Sequence, residues 1–318
     1  MANQTVKGKA FEYACLKAFK DIIDLNQEVI IVENSAYDNA KLFFDSSSLD
    51  QKDILYKAGI AAVRVLLRLE PRLSELVPSN PLLMKLQDDS RGIQGDVRDL
   101  ICFRNDGWEL GFSCKHNHTA VKHSRLSNVL DFGSTWFNVP CSSTYFNDIN
   151  PIFERLDELK KRNKDWKDIH DKDISIYRPL MIAFLNELQR LASEVRNEIP
   201  SKLLNYLIGR HDFYKIITLE QRKTTQVQAF NVNGTLNKRS QADVSDTKIP
   251  LLRLPSKFLD ITFKNGSNST IIVTCDNGWS LSFRIHNAST KVENSLKFDI
   301  QLIGIPSSLY VNQQLWHD

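Results

Sequence analysis

The spacing of apolar residues changes character twice along the chain. Over residues 8–25, Ala10, Tyr13, Ala14 and Ala18 keep helical spacing, and Phe11, Leu16 and Phe19 widen the stripe. This predicts an amphipathic helix with Glu12 in its early turns. QEVIIVE (27–33) predicts a short strand. Ser48 or Asp50 caps a second predicted helix, 51–69, which stops before Pro71. A segment punctuated by Pro71, Pro78 and Pro81 holds one short helix in this reading. The period then shortens to two: DLICFR (99–104) and WELGFSCK (108–115) flank Asn105-Asp106-Gly107 and predict a β-hairpin. Helical spacing returns at 118–130, 154–164, 174–197 (with Pro179 near its start) and 200–209, where Gly209 is the predicted stop. From 211 onward the segments FYKIITLE, TQVQAFNV-NG-TLNKR, KIPLLRLP, FLDITFKN, STIIVTC-DNG-WSLSFRIHN and LKFDIQLIG predict strands, with Asn233-Gly234 as a hairpin turn. The coarse expectation is an α/β (α+β) chain: a mixed region with a helical middle over 1–210, and a β-rich region over 211–318.

The hairpin loop sets which side chains share a face. A two-residue Asp-Gly turn pairs Asp99 with Cys114. A three-residue Asn-Asp-Gly loop, with Gly107 left-handed, pairs Arg104 with Trp108 and Asp99 with Ser113. In the second register Asp99, Glu109, Ser113 and Lys115 lie on one face, because strand side chains alternate with period two. Leu100, Cys102, Leu110, Phe112 and Cys114 then form the apolar face, and this segregation favours the three-residue loop. The stretch 106–112 is echoed at 277–283, where Ser280 stands for Glu109 and His286 for Lys115. We read the echo as two similar hairpins arising independently.

Composition narrows the function classes only modestly. With 318 residues and 42% hydrophobic content the chain supports a large core. A net charge of +3 permits a nucleic-acid partner without demanding one. The five cysteines form no CxxC pair, which predicts buried thiols in a reducing compartment. No stretch approaches the roughly 18 apolar residues of a membrane span. The expectation is a soluble cytoplasmic protein. The run LKKRNKDWKDIHDKD reads as a solvated face.

The hairpin carries groups suited to phosphodiester hydrolysis, which needs a divalent metal on hard oxygen ligands, an activated water, and positive charge at the phosphate. Asp99 supplies a carboxylate and the Cys114 carbonyl a second oxygen. Lys115 orients water and offsets charge on the phosphate. The second carboxylate is Glu12 or Glu109, and Asp96 replaces Asp99 if the strand begins earlier. His116, Asn117, His118, Lys122, His123 and Arg125 follow as a polar and basic cluster suited to DNA contact. A contiguous His116-Asn117-His118 tripeptide does not form an HNH nuclease site, whose residues are widely spread.

Asp99, with thirteen residues intervening before Ser113-Cys114-Lys115, resembles the PD-(D/E)xK nuclease signature, with Ser113 where the second acid usually stands. Over a longer span, SCKHNHTAVKHSRLS (113–127) and WSLSFRIHNASTKVENSLKFDIQLIG (279–304) resemble segments of HaeIII-type Type II restriction endonucleases. The resemblance implies a mixed-sheet nuclease core flanked by helices. It implies a bacterial, Mg²⁺-dependent endonuclease cutting double-stranded DNA within the palindrome GGCC, with the β-rich region recognising DNA. Because that site is all G·C, arginine is the natural reader of guanine. Arg284 is the first candidate and Arg125 the second, with His286 and Asn287 beside them. A palindrome also implies a homodimer or two successive nicks by a monomer. The alternative is a non-catalytic or shape-specific DNA-binding protein on a decayed nuclease fold, and Ser113 is the feature favouring it.

Overall fold

The computed structural model describes residues 3–77, 79–88, 95–117, 120–122, 124–195, 197–241 and 243–316, so His118 and His123 lie outside the described residues. In chain order the elements are α1 (Asn3–Ile23), β1 (Val29–Ile31), α2 (Ser35–Asp45), α3 (Leu49–Leu69), β2 (Leu82–Leu86), β3 (Leu100–Phe103), β4 (Glu109–His116), β5 (Ala120–Lys122) and β6 (Arg125–Leu126). They continue with α4 (Phe132–Phe137), α5 (Ser143–Lys161), α6 (Arg178–Glu194), α7 (Ile199–Ile208), β7 (Phe213–Leu219), β8 (Thr224–Phe230), β9 (Phe258–Phe263), β10 (Thr270–Cys275), β11 (Ser280–His286), β12 (Leu296–Gly304) and β13 (Tyr310–Leu315). The α+β class expected from the pattern is what the chain adopts.

Two compact units divide the chain discontinuously. The first holds Met1–Thr119, Gly209–Leu252 and Ser308–Asp318, and the second Ala120–Ile208 and Arg253–Ser307. One crossing, at Ile208/Gly209, falls beside the boundary expected near residue 210. The β-rich stretch beyond it is shared between both units.

The first unit is built on a seven-stranded mixed sheet in the order β1-β2-β3-β4-β7-β8-β13. One face carries Leu100, Cys102, Leu110, Phe112, Cys114, Tyr214, Ile216, Val227 and Ala229, packed with residues of α1, α2 and α3 in one core. A Cβ on Gly59 of α3 would stand 3.0 Å from the Ala14 carbonyl oxygen and 3.0 Å from the Ala18 Cβ, so small residues set the close approach of α1 and α3. Phe19 of α1 meets Phe112 of β4 at 4.7 Å between ring centroids. Burying such rings is worth about 2–3 kcal/mol each. These contacts fix α1, and with it Glu12, against the hairpin.

The β3–β4 register is the one predicted from the three-residue loop. Leu100 pairs with Phe112 and Phe103 with Glu109. The Arg104 amide donates to the Trp108 carbonyl at 2.9 Å, and Gly107 sits at φ +87°. In the second unit, Cys275 N donates to the Trp279 carbonyl at 2.8 Å across residues 276–278, so the echoed sequence closes a loop of the same length.

The second unit carries a six-stranded sheet, β5-β12-β11-β10-β9, with β6 also pairing β12. Its apolar face, including Phe283 and Phe298, packs on Phe184 of α6 at 5.7 and 5.0 Å. Trp136 of α4 stacks on Tyr206 of α7 at 4.8 Å.

Several local expectations are corrected. The helix expected over 118–130 is replaced by β5 and β6, because the edge of β12 offers this short segment ladder partners. TLNKR and KIPLLRLP are not strands, and Asn233-Gly234 does not close a hairpin. The Asp212 carboxylate accepts from the amides of Val232, Asn233 and Thr235 at 2.7–2.8 Å, which holds this turn as a loop. Pro250 and Pro255 cannot donate to a ladder. Four elements, α2, β2, α4 and β13, carried too short a periodic signal to be read in advance.

Candidate active site

Strand alternation brings the hairpin groups together. One step beyond the Leu100–Phe112 pair, Asp99 lies opposite Ser113. Its Oδ2 accepts from Ser113 Oγ at 3.2 Å, the Cys114 amide at 2.7 Å and Lys115 Nζ at 3.0 Å. The N–H and C=O of a strand residue point to the same side, so the Cys114 carbonyl also faces the edge where β3 has ended. Burial alone would lower the Lys115 pKa, but Asp99 and Glu12 outweigh it and raise the value. In this arrangement Lys115 is a held ammonium that carries charge, not a base.

The two candidate second carboxylates stand in different surroundings. Glu12 is 6% exposed, and Lys9 Nζ donates to its Oε2 at 3.0 Å. Burial first, and the charge of Asp99 second, push its carboxyl well above the usual range, opposed by Lys9 and Lys115. Glu12 therefore lies within the fields of both Asp99 and Lys115. Glu109 is exposed and accepts from Arg98 Nη1 at 2.7 Å. Arg98 also binds Asp96 through Nε and Nη2 at 2.8 Å each, which ties Asp96 into a separate ion-pair group. Gly111 makes room for this arginine, since a Cβ there would meet the Arg98 Cδ at 1.9 Å.

The oxygen donors available to a cation are the carboxylates of Asp99 and Glu12 and the Cys114 carbonyl, a hard set that suits a small divalent ion. No group of three or more His, Cys, Asp or Glu side chains converges among the described residues. Burial and the charge of Asp99 disfavour the ionised Glu12 carboxyl, and a cation beside it would relieve that cost.

One residue absent from the sequence reading belongs to this neighbourhood. Lys215 of β7 pairs with Ser113 in the parallel β4–β7 ladder and is 4% exposed. Burial, then Lys115, push its pKa down to about 7, while Asp99 opposes the change. Because β7 joins β4 from about a hundred residues downstream, no local spacing reveals it.

The residues expected to contact DNA divide into engaged and exposed groups. His116 is buried, with its ring nitrogen bonded to Glu220. Asn117 adopts a left-handed φ of +51° and its Oδ1 accepts from the Glu220 amide at 2.9 Å. Both shape the end of β4. In the second unit, Lys122 stands 3.7 Å from the Tyr206 ring centroid and bonds the Tyr206 carbonyl at 3.0 Å. Burial pushes its pKa down to about 8. His286 Nδ1 contacts the Asn287 carbonyl at 2.8 Å, and Asn287 Oδ1 accepts from Tyr177 at 3.2 Å. Arg125 and Arg284 remain exposed. Arg125 donates to Ser295 Oγ at 2.7 Å, and Arg284 lies opposite Asp299 across the β11–β12 ladder, its Nη2 3.4 Å from that carboxylate.

A family model described as HaeIII restriction endonuclease matches residues 8–306. The Type II restriction enzyme HaeIII of Haemophilus aegyptius is 40% identical over 312 residues, covering 98% of this chain and 98% of that protein. No solved structure matches the chain.

Proposed function

The chain belongs to the HaeIII restriction endonuclease family, whose members are site-specific endonucleases acting on double-stranded DNA, and from that premise we propose that it cuts within the palindrome GGCC by Mg²⁺-dependent hydrolysis. The observation that carries the chemistry is the Asp99 carboxylate gathering Ser113, the Cys114 amide and Lys115 at one end of a hairpin. Asp99, Glu12 and the Cys114 carbonyl would hold the ion. When bound, the ion lowers the pKa of water and offsets negative charge on phosphate oxygen. The attacking water oxygen forms a bond to phosphorus as one bridging P–O bond breaks. One water proton is lost and the departing alkoxide takes one up, giving an alcohol and a phosphate monoester. Lys115 holds its ammonium toward the phosphate, and Ser113 Oγ orients Asp99.

In this reading the outer face of the second unit's sheet supplies recognition. Arg284 and Arg125 donate to guanine O6 and N7, and His286 and Asn287 shape the adjoining turn. His116 and Asn117 act by positioning the end of β4, not by touching bases. A two-fold dimer reads the two half-sites symmetrically.

Plasmid digestion with and without EDTA tests the metal requirement, and mapping the cut ends tests GGCC. Asp99→Ala and Lys115→Ala are each expected to cut at least about 100-fold more slowly while duplex binding largely survives. Normal cutting by both variants would overturn the hairpin assignment.

A further inference from the structure

β4 runs on past its antiparallel partner. The β3 ladder stops at the Leu100–Phe112 pair, where the Asp99 amide donates to the Phe112 carbonyl at 2.7 Å. From Cys114 to His116, β4 is paired on one side only among the described residues, by β7. The Cys114 carbonyl, the proposed backbone oxygen for the metal, therefore lies on an open edge. Such a strand end opens readily unless something else holds it.

One residue ties that end to two further elements. Glu220 stands directly after β7, in a short turn (Glu220–Arg222) that Lys223 closes by donating its amide to the Glu220 carbonyl at 3.0 Å. Glu220 Oε1 accepts from the ring of His116, which is 7% exposed, and from Gln51 Nε2 at 2.9 Å. Gln51 lies in the first turn of α3, where its amide donates to the Ser48 Oγ cap at 3.2 Å. The Glu220 amide donates to Asn117 Oδ1 at 2.9 Å, and the Asn117 amide donates to the Thr218 carbonyl at 3.0 Å. Side chain and backbone of Glu220 thus hold the two residues that follow Lys115.

A buried ring N–H left without an acceptor is costly, so the His116 side chain stays where Glu220 holds it. Lys115 has a hold of its own in its bond to Asp99. The direction of the Cys114 carbonyl is set by the course of the backbone, which His116 and Asn117 fix on one side. We propose that Glu220 is a positioning residue for metal-dependent cleavage: by tying His116 and Asn117 to α3 and to the β7–β8 turn, it keeps the Cys114 carbonyl aimed as an oxygen of the metal set. This inference rests on the hairpin being the nuclease site. Both side-chain donors meet the same oxygen, Oε1, so a carboxamide in place of the carboxylate keeps the tether.

The test uses the full chain with Glu220→Ala, Glu220→Gln and Asp99→Ala in parallel. Single-turnover cleavage of a GGCC duplex is measured against Mg²⁺ concentration. The concentration giving half the maximal rate should rise about tenfold or more in Glu220→Ala, while the rate at saturating Mg²⁺ stays within about threefold of normal. Glu220→Gln should stay within about threefold of the unsubstituted protein at every concentration. Binding supplies a second readout that needs no cleavage. The Ca²⁺ concentration that half-saturates duplex binding should rise in Glu220→Ala by a factor similar to that for Mg²⁺, and not in Glu220→Gln. An unchanged dependence on both ions in Glu220→Ala overturns the assignment. So does a rate that remains low at saturating Mg²⁺, since a damaged fold loses activity at every ion concentration. Equal impairment of Glu220→Gln and Glu220→Ala also overturns it, because charge and not position would then be what Glu220 supplies. Asp99→Ala separates the two possible failures. If it cuts normally, the hairpin reading itself has failed. If it is inactive while Glu220→Ala behaves as the parent, only the role of Glu220 falls.

Discussion

Glu12 and Glu109 are both acidic and both near the hairpin in sequence or in space, yet their surroundings differ. Glu109 is exposed and bound by Arg98, so its charge is already compensated. Glu12 is buried, and burial first and the charge of Asp99 second raise its carboxyl well above the usual range. Metal-dependent cleavage should therefore be abolished by Glu12→Gln and reduced less than about tenfold by Glu109→Gln. Measuring rate against Mg²⁺ concentration for both variants checks this, and the opposite ranking would make Glu109 the second ligand. Asp99, Ser113 and Lys115 were legible in the sequence because period-two alternation and an Asn-Asp-Gly loop are local properties. Glu12 was legible only as an alternative, since a helix face and a strand face meet through tertiary packing. Lys215 was not legible at all, as its partner strand is chosen by the fold.

At the scale of elements, the segment after β8 illustrates how side chains override a strand-like pattern. Asp212 accepts three backbone amides from it, and Thr235 Oγ1 adds a further bond at 2.9 Å. Glu70, at the end of α3, accepts from the Asn237 amide and from the Tyr214 hydroxyl. Asp212→Ala should lower stability by about 1–2 kcal/mol and speed limited proteolysis within 231–252, because three part-buried backbone amides lose their acceptor. Unchanged proteolysis would show that other contacts hold the segment. Burial pushes the Glu70 carboxyl up to about 7 from an ordinary 4.5, against the lowering effect of its hydrogen bonds. A carboxyl with a raised folded pKa binds its proton more tightly in the folded state. Its contribution is thus fully present below about pH 4.5 and lost as pH rises through about 7. Over that window it amounts to about 3 kcal/mol. Thermal melts across pH 4.5–8 should show a shallower decline for Glu70→Gln than for the parent, and parallel curves would refute the assignment. The helix stops and caps were readable here: Ser48 caps α3 through the Gln51 amide, and Gly209 follows α7 at φ +82°. The stretch 248–255 was not, because an apolar run with two prolines satisfies a strand pattern without having a ladder to join.

At the scale of the molecule, the chain leaves the first compact unit after Thr119, returns at Gly209, leaves again after Leu252 and returns at Ser308. The second unit presents Arg284 on the polar side of a sheet whose other side is packed on helices. Arg284→Ala should weaken cognate binding by about 1–3 kcal/mol and narrow the gap to non-cognate duplex, while a phosphate contact would weaken both equally. Competition binding at fixed salt discriminates the two. If the palindrome is read by a two-fold assembly, sedimentation of the Ca²⁺ complex should find two chains per GGCC duplex. One chain per duplex would indicate successive nicking. The sequence by itself determined the face segregation of the hairpin, its three-residue loop and the gathering of Asp99, Ser113 and Lys115. These depend on alternation and turn chemistry within about twenty residues. The tertiary structure decided that β7 lies against β4, that α1 sets Glu12 within the field of Asp99, and that the β-rich stretch is divided between two units. Those outcomes depend on which strands pair at long separation and on how buried charges compensate one another, and neither is encoded in any local period.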